Sequence, residues 1–310
     1  MRLLLHILIG NLLASAAEAQ IKNNVITPEL FSEPAVYEGF RTALESRALD
    51  GIQTCPGRLS ATTADPVPGS DLTAQGTIYF TPYKGSKISL YNGSYWQLIS
   101  FSELSLSLSV TSGSNYDVFV YSNSGTPTLE LSAAWTNDTT RATSLTLQDG
   151  VYVKSGSLTR RYVGTIRASG ANVTEDSVTK RFVWSYCNRH PRKISLTYNT
   201  AHSYSGNTRI WGNSSANMVE VVYGLPGEIE LSGGFQLTDG GGPGIGCLGL
   251  DSQSTCLFKT DHRSSSFYRM LIPFYQVLSA GYHYIASLQS TNSAGSATYN
   301  QTDIAGQSWS

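Results

Sequence analysis

From Gly76 to Val110 apolar and polar residues alternate with the period of a half-buried β-strand, and the alternation breaks at Tyr83-Lys84-Gly85 and again at Asn92-Gly93. An Asn-Gly between alternating residues predicts a hairpin turn, so a strand meander starts here. The pattern continues downstream. NYDVFVYSNSGTPTLELSAAW predicts two strands around Ser122–Thr126, DGVYVKSGSLTRRYVGTIRAS a hairpin turning at Ser155-Gly156, and KRFVWSYCNRH a closing strand. TNDTTRATSLTLQ, lying between them, reads as a loop or helical turn. Turn signals about every 8–12 residues are those of an antiparallel sandwich or barrel.

After Pro191 the composition shifts, and ISLTYNTAHSYSGNTRIW, MVEVVYGLPGEIELSGGFQLT, YRMLIPFYQVL and GYHYIASLQS supply fresh strands, for which a jelly-roll-like sandwich is the economical closure. Ahead of the β-region, Ser32-Glu33-Pro34 offers an N-cap and an early proline, with Val36, Phe40, Ala43 and Leu44 at helical spacing and Asp50-Gly51 as a stop. The expected fold is therefore all-β with an N-terminal helical anchor (1–51), an antiparallel β-sandwich or barrel module (52–192) and a distal jelly-roll-like β-sandwich (193–310).

The first twenty residues, MRLLLHILIGNLLASAAEAQ, resemble a secretory signal peptide, with a basic residue, an apolar run broken by His6 and Asn11, and Ala17-Glu18-Ala19 before Gln20. The run is too short for a membrane span. Two expectations stand: a cleaved signal, or a retained anchor through which residues 1–51 attach to other proteins.

Charged residues make up only 14% of the 310, and the net charge is −1. That argues against nucleic-acid binding, which needs basic patches. Gly, Ser, Thr, Asn and Tyr dominate instead, which suits fibres and glycan binders. Arg160, Arg161, Arg167 and Arg181 form a local cluster, but Asp149, Glu175 and Asp176 are near in sequence, and the expectation is a solvated, mutually paired face.

Four cysteines, Cys55, Cys187, Cys247 and Cys256, are too few and too irregularly spaced for a disulfide scaffold or zinc ribbon. The candidate disulfide is Cys247 with Cys256, across GCLGLDSQSTC; two reduced thiols packed as small apolar residues are the alternative. The five histidines share no metal-ligand spacing, so neither metal nor cofactor is implied.

No catalytic constellation emerges. There is no G-x-S-x-G elbow. Glu228 and Glu230 point to one face of a strand, but their alternation with Ile229 and Leu231 indicates a solvent face rather than a glycosidase pair. GGGPGIG lacks the Lys and helix of a phosphate loop and reads as a flexible turn. The five N-x-[ST] sequons, at Asn92, Asn137, Asn172, Asn213 and Asn300, are what a chain rich in Asn, Ser and Thr contains by chance.

Aromatic residues remain. Tyr204, Trp211, Tyr223, Phe267, Tyr268, Tyr275, Tyr282, His283 and Tyr284 lie among Gly, Ser and Asn, and such rings hold sugars by apolar faces with polar handles. Most are expected to pack the sandwich or a subunit interface. The candidates for receptor or glycan binding are Trp211, Tyr204, Tyr268 and Tyr282, with loops around Trp211, Gly240–Gly246 and Cys247–Cys256 as the expected binding surface.

GRLSATT, TIYFTPYKG, ISLYNGSYW, FSELSLSLS, NYDVFVY, TLELSAAWTNDTTRA, LQDGVYVKSG, TRRYVGTIRASG and KRFVWSYCNR, in order from about residue 57 to 190, resemble a β-module that recurs in structural proteins of tailed bacteriophages. SYSGNTRIW, VEVVYGLPGEIELSG and GYHYIASLQ are similar, more loosely, to the distal domains that follow it. The resemblance implies a non-enzymatic virion fibre, spike or receptor-binding protein that meets a host glycan or protein. A capsid fibre or decoration protein, and a secreted glycan-binding protein, are the alternatives. Closed symmetry is expected to cover exposed sheet edges, with a homotrimer the leading form.

Overall fold

The computed structural model describes residues 53–239, 244–262, 268–291 and 296–310, with backbone alone for 239, 258–262 and 268–271. The expected N-terminal helix and signal-like segment lie outside the described residues. Within them the chain is all-β, apart from one 3-10 turn at Trp211–Asn213.

Three positions show why the turns form where they do. Ser124-Gly125 and Asp149-Gly150 both adopt positive φ at successive residues, the requirement of a tight hairpin that follows the strand twist. At Asn92-Gly93 the loop is longer than a two-residue turn: Tyr91 pairs with Trp96, and the Asn92 side-chain oxygen accepts the N–H groups of Ser94 and Tyr95. Strand Thr77–Pro82 pairs with Gly57–Ser60 and Leu104–Ser107 rather than with Lys87–Tyr91, so the meander splits into two small sheets. Within TNDTTRATSLTLQ, Leu145–Gln148 is a strand, because Val151–Lys154 folds back on it.

The first half packs those two small sheets against strands Asn115–Asn123 and Ser157–Gly170 around Leu59, Ile78, Phe80, Ile88, Val118, Val120, Val163 and Ile166. The opposite face of the same two strands carries Phe119 and Tyr162, which join a second core containing Val219, Val221, Tyr223, Ile229, Phe235, Ile285, Tyr299 and Ile304. Here a five-stranded sheet, in the order Pro191–Tyr198, Ala297–Trp309, Gly227–Asp239, Tyr268–Leu278 with His202–Tyr204 at its side, faces strands Met218–Tyr223, Gly244–Leu250 and Gly281–Thr291. That is the distal sandwich. The 192/193 boundary falls inside strand Pro191–Tyr198, and the halves share a core as well as a parallel pairing of Lys180–Arg181 with Met218–Tyr223.

Ionic links reinforce this joint. Asp117, buried, accepts two bonds from Arg141 at 2.7 and 3.1 Å and one from Thr165 at 2.7 Å, and Arg141 also donates to the Gly224 carbonyl of the distal half. Burial pushes the Asp117 carboxyl up, and the bonds from Arg141 and Thr165 act against it. Asp176 holds Arg181 at 2.8 Å and Arg192 at 3.0 Å, while Arg58 donates to the Ser310 carbonyl at 2.6 Å. Burial lowers the Arg58 pKa to about 10, so it stays charged at neutral pH.

These contacts correct the expectation of a solvated arginine face. Arg161, Arg167 and Arg181 are buried; Arg161 donates to the carbonyls of Ser89 and Gln53, and Arg167 reaches Asn115 and Asp138. Only Arg160, paired with Glu130, fits a partly solvated role. Gly244–Leu250, expected to begin in a flexible turn, is a buried strand, and a Cβ on Gly246 would lie 2.4 Å from the Phe235 ring. That glycine serves close packing.

Cys55 bonds to Cys187 and Cys247 to Cys256. The first bond ties the start of the module to its closing strand.

Glu103 carries a pH consequence. Burial raises its pKa, but bonds from Thr63, Thr81 and the Ala64 N–H outweigh this and leave it below the ordinary carboxylate value. A carboxylate depressed in the folded state contributes its stability fully above its unfolded pKa and loses it as pH falls through the folded value. The Glu103→Gln variant is expected to be less stable at neutral pH and to show a shallower acid-side loss of melting temperature; parallel profiles for the two proteins would contradict this.

Candidate functional site

The five-stranded sheet turns one face to the core and the other to solvent. Along Gly227–Asp239 the alternation is clean: Ile229 and Leu231 are buried, whereas Glu228 and Glu230 are exposed. The register then decides what stands beside them. Glu228 pairs with Val277 and Glu230 with Tyr275 on one side; on the other, Glu230 pairs with Gln307 and Ile229 with Ser308, which brings Trp309 alongside Glu228. Tyr275, Val277 and Trp309 are among the most exposed large apolar side chains described, at 58%, 59% and 39%.

Two shallow grooves run side by side over this face. One is floored by Ser232, Ala305 and Gly306 and walled by Glu230, Tyr275 and Gln307. The other lies between Trp309, Glu228, Val277 and Arg189. A Cβ on Gly306 would approach the Glu230 carbonyl to 2.2 Å, so only glycine fits this close strand contact at the groove floor. The neighbouring Glu228 carboxylate raises the Tyr275 phenol pKa. The result is two aromatic plates with two carboxylates and an amide between them.

The residues singled out from the sequence fare differently. Trp211 is fully buried, set edge-on to Tyr299 at 5.0 Å and beside Phe235 at 5.6 Å, so it offers no face to a ligand; this corrects the expectation of a ligand-binding tryptophan. Tyr204 is half-buried, with Arg209 stacked 3.7 Å over its ring and its hydroxyl given to the Asn207 carbonyl. Tyr282 has Arg167 at 3.5 Å over its ring and donates to Glu220 at 2.6 Å, which makes it part of the joint between halves. Tyr268 begins the edge strand Tyr268–Leu278, and its side chain lies outside the described residues. Trp211 and Tyr204 both pack on Tyr299, whereas Tyr282 belongs to the joint.

Trp309 was missed because it sits in a Ser- and Thr-rich stretch, although the alternation in Ala-Gly-Gln-Ser-Trp already directs Gln307 and Trp309 to one face. Tyr275 is in the aromatic set, but only the register sets it beside Glu228 and Glu230.

A nucleophile-like arrangement also appears. Ser279 Oγ is 3.3 Å from His283 Nε2, and His283 Nδ1 is 2.7 Å from Asp251 Oδ2. Nε2 is nearer still to the Ser279 carbonyl, at 3.1 Å, and the imidazole is buried while the carboxylate is exposed, the reverse of an activated serine site. The ring pins the turn before Gly281 to the Cys247–Cys256 loop. Among the described residues no group of three or more His, Cys, Asp or Glu could hold a metal ion.

No protein-family model matches the chain, and no curated protein matches it. Among solved structures, it is similar to the C-terminal CBM6 of a marine laminarinase from Zobellia galactanivorans (8% identity, 36% of this chain and 98% of that one, TM-score 0.21). It is also similar to a family 35 carbohydrate binding module from Clostridium thermocellum (12%, 38% and 98%, TM-score 0.20) and to infectious bursal disease virus Gx strain (12%, 84% and 75%, TM-score 0.26). At these TM-scores none of the three bears on function.

Proposed function

We propose that the chain is a non-enzymatic surface-recognition protein of a bacteriophage virion, fibre- or spike-like, which attaches through residues 1–51 and holds a host-surface glycan on the outer face of its five-stranded sheet. The observation that carries the recognition role is the meeting of Tyr275 and Trp309 around Glu228, Glu230 and Gln307. Aromatic faces stack on sugar rings, and carboxylates and amides take their hydroxyls. An open face of this kind does not exclude water, which suits binding rather than hydrolysis. The virion setting rests on the resemblance of residues 57–190, and a homotrimer would multiply weak sites by effective concentration.

A secreted glycan-binding protein is the second reading, favoured by the Cys55–Cys187 and Cys247–Cys256 bonds, since disulfides persist in oxidising surroundings. Immunogold labelling of purified particles separates the two. Labelled tails or heads support the virion role, and label confined to the culture medium supports secretion.

For recognition itself, Tyr275→Ala and Trp309→Ala are each expected to weaken binding to host cells by about tenfold, the equivalent of one lost stacking contact. Unchanged binding by both variants would remove this face from the recognition role.

A further inference from the structure

On that reading, we infer that the face takes the interior of a linear, uncharged glycan chain at least three rings long, and not a single terminal sugar or an acidic polymer. The spacing of the plates carries the argument. Tyr275 and Trp309 stand on the two strands that flank Gly227–Asp239, and Tyr275 is level with Glu230 whereas Trp309 is level with Glu228. Two strand spacings across and two residues along put their backbone positions about 12 Å apart. One pyranose ring stacked on either plate cannot touch the other. A chain that stacks one ring on Tyr275 and another on Trp309 leaves at least one ring between them, directly over Glu228 and Glu230.

The charges select among such chains. The middle ring meets two carboxylates, with Gln307 beside them, and these accept hydroxyl donors readily. A uronate or phosphate there would face two like charges. Among the described residues, the cations bordering this face stand aside: Arg189 lies at the Trp309 end, and Lys193 pairs with Gln307 one strand further out. The same carboxylates oppose a second copy of the chain docking face to face, because a two-fold contact would set Glu228 and Glu230 against their own images. Along the track the floor stays low at the Tyr275 end, with Ser232, Ala305 and Gly306, so a chain can run on past that plate, while Pro226 and Gly227 border the groove at Trp309.

The test is calorimetric titration of the full chain with glucose, maltose, maltohexaose, cellohexaose, laminarihexaose and hexagalacturonate. At least one neutral hexasaccharide is expected to bind tenfold or more tighter than glucose and maltose, with hexagalacturonate weaker than that hexasaccharide by at least as much. Tyr275→Ala and Trp309→Ala should each bring the hexasaccharide down to the disaccharide level, and Tyr275→Phe should retain most of the length dependence. Equal affinity for glucose and the hexasaccharides, or tight binding of hexagalacturonate, would overturn the inference and leave glycan recognition standing. If no sugar binds, glycan recognition fails and the inference with it. If either alanine variant dissociates an oligomer in sedimentation, the face is a subunit contact, and that too overturns the proposal.

Discussion

Replacing Cys55 and Cys187 together by serine is expected to cost about 5 kcal/mol of stability, because the bond closes a loop of 132 residues and the entropy it removes from the unfolded chain grows with the logarithm of loop length. The same substitution at Cys247 and Cys256, nine residues apart, is expected to cost about 2.5 kcal/mol. The long bond has structural consequences as well. Cys55 leads into Gly57–Ser60, whose Leu59 is in the first core, and the Asn188 side chain donates to the carbonyls of Cys55 and Gly57. Without the bond, the start of the module is held by the Gly57–Ser60 ladder and by hydrogen bonds to the carbonyls of Gln53, Thr54, Cys55, Pro56 and Gly57. Denaturant titration of the two double variants reads the difference. A cost at Cys55–Cys187 no greater than at Cys247–Cys256 would mean that the long loop is already ordered in the unfolded ensemble.

Trp211→Ala is expected to cost about 3–5 kcal/mol, the range for truncating a large ring in a well-packed core. The ring is wholly enclosed by His202, Phe235 and Tyr299, and the Trp211 carbonyl takes a bond from Asn217 at 2.7 Å, so little around it can collapse into the space. Tyr275→Ala is the contrasting case. Its ring stands in solvent, and its removal should change stability by no more than about 0.5 kcal/mol. Glycan binding should follow the opposite order once each variant is measured below its unfolding transition: weakened about tenfold for Tyr275→Ala, retained for folded Trp211→Ala. A stable Trp211→Ala protein with lost binding would return that residue to the site.

The tryptophans show where sequence reasoning succeeds and where it fails. Trp211 lies in a Ser-, Gly- and Asn-rich stretch that reads as a loop, and it does occupy a turn. That turn, with Gly212 and Asn213 at positive φ, throws the ring inward. Local composition reports how the backbone bends, and it is silent about the side on which the neighbouring sheet lies. Trp309 presents the reverse case: an unremarked strand residue whose outward direction follows from alternation alone.

What the sequence by itself determined is the all-β class, the hairpin turns at Ser124-Gly125 and Ser155-Gly156, and the outward direction of Glu228 and Glu230. These are local properties: the positive φ at Ser124, Gly125 and Gly156 is set within each turn, and the side-chain period of a strand needs no partner. Tertiary structure decided the rest. The Cys55–Cys187 bond, the burial of Arg161 and Arg181, and the meeting of Glu230 with Tyr275 and Gln307 all join residues far apart in the chain. Such pairings depend on register, and a shift of one residue would turn every side chain of a strand to the other face. Register is selected by the apolar faces that must close on a common core, so the recognition surface on the far side of that sheet is a consequence of how its inner side packs.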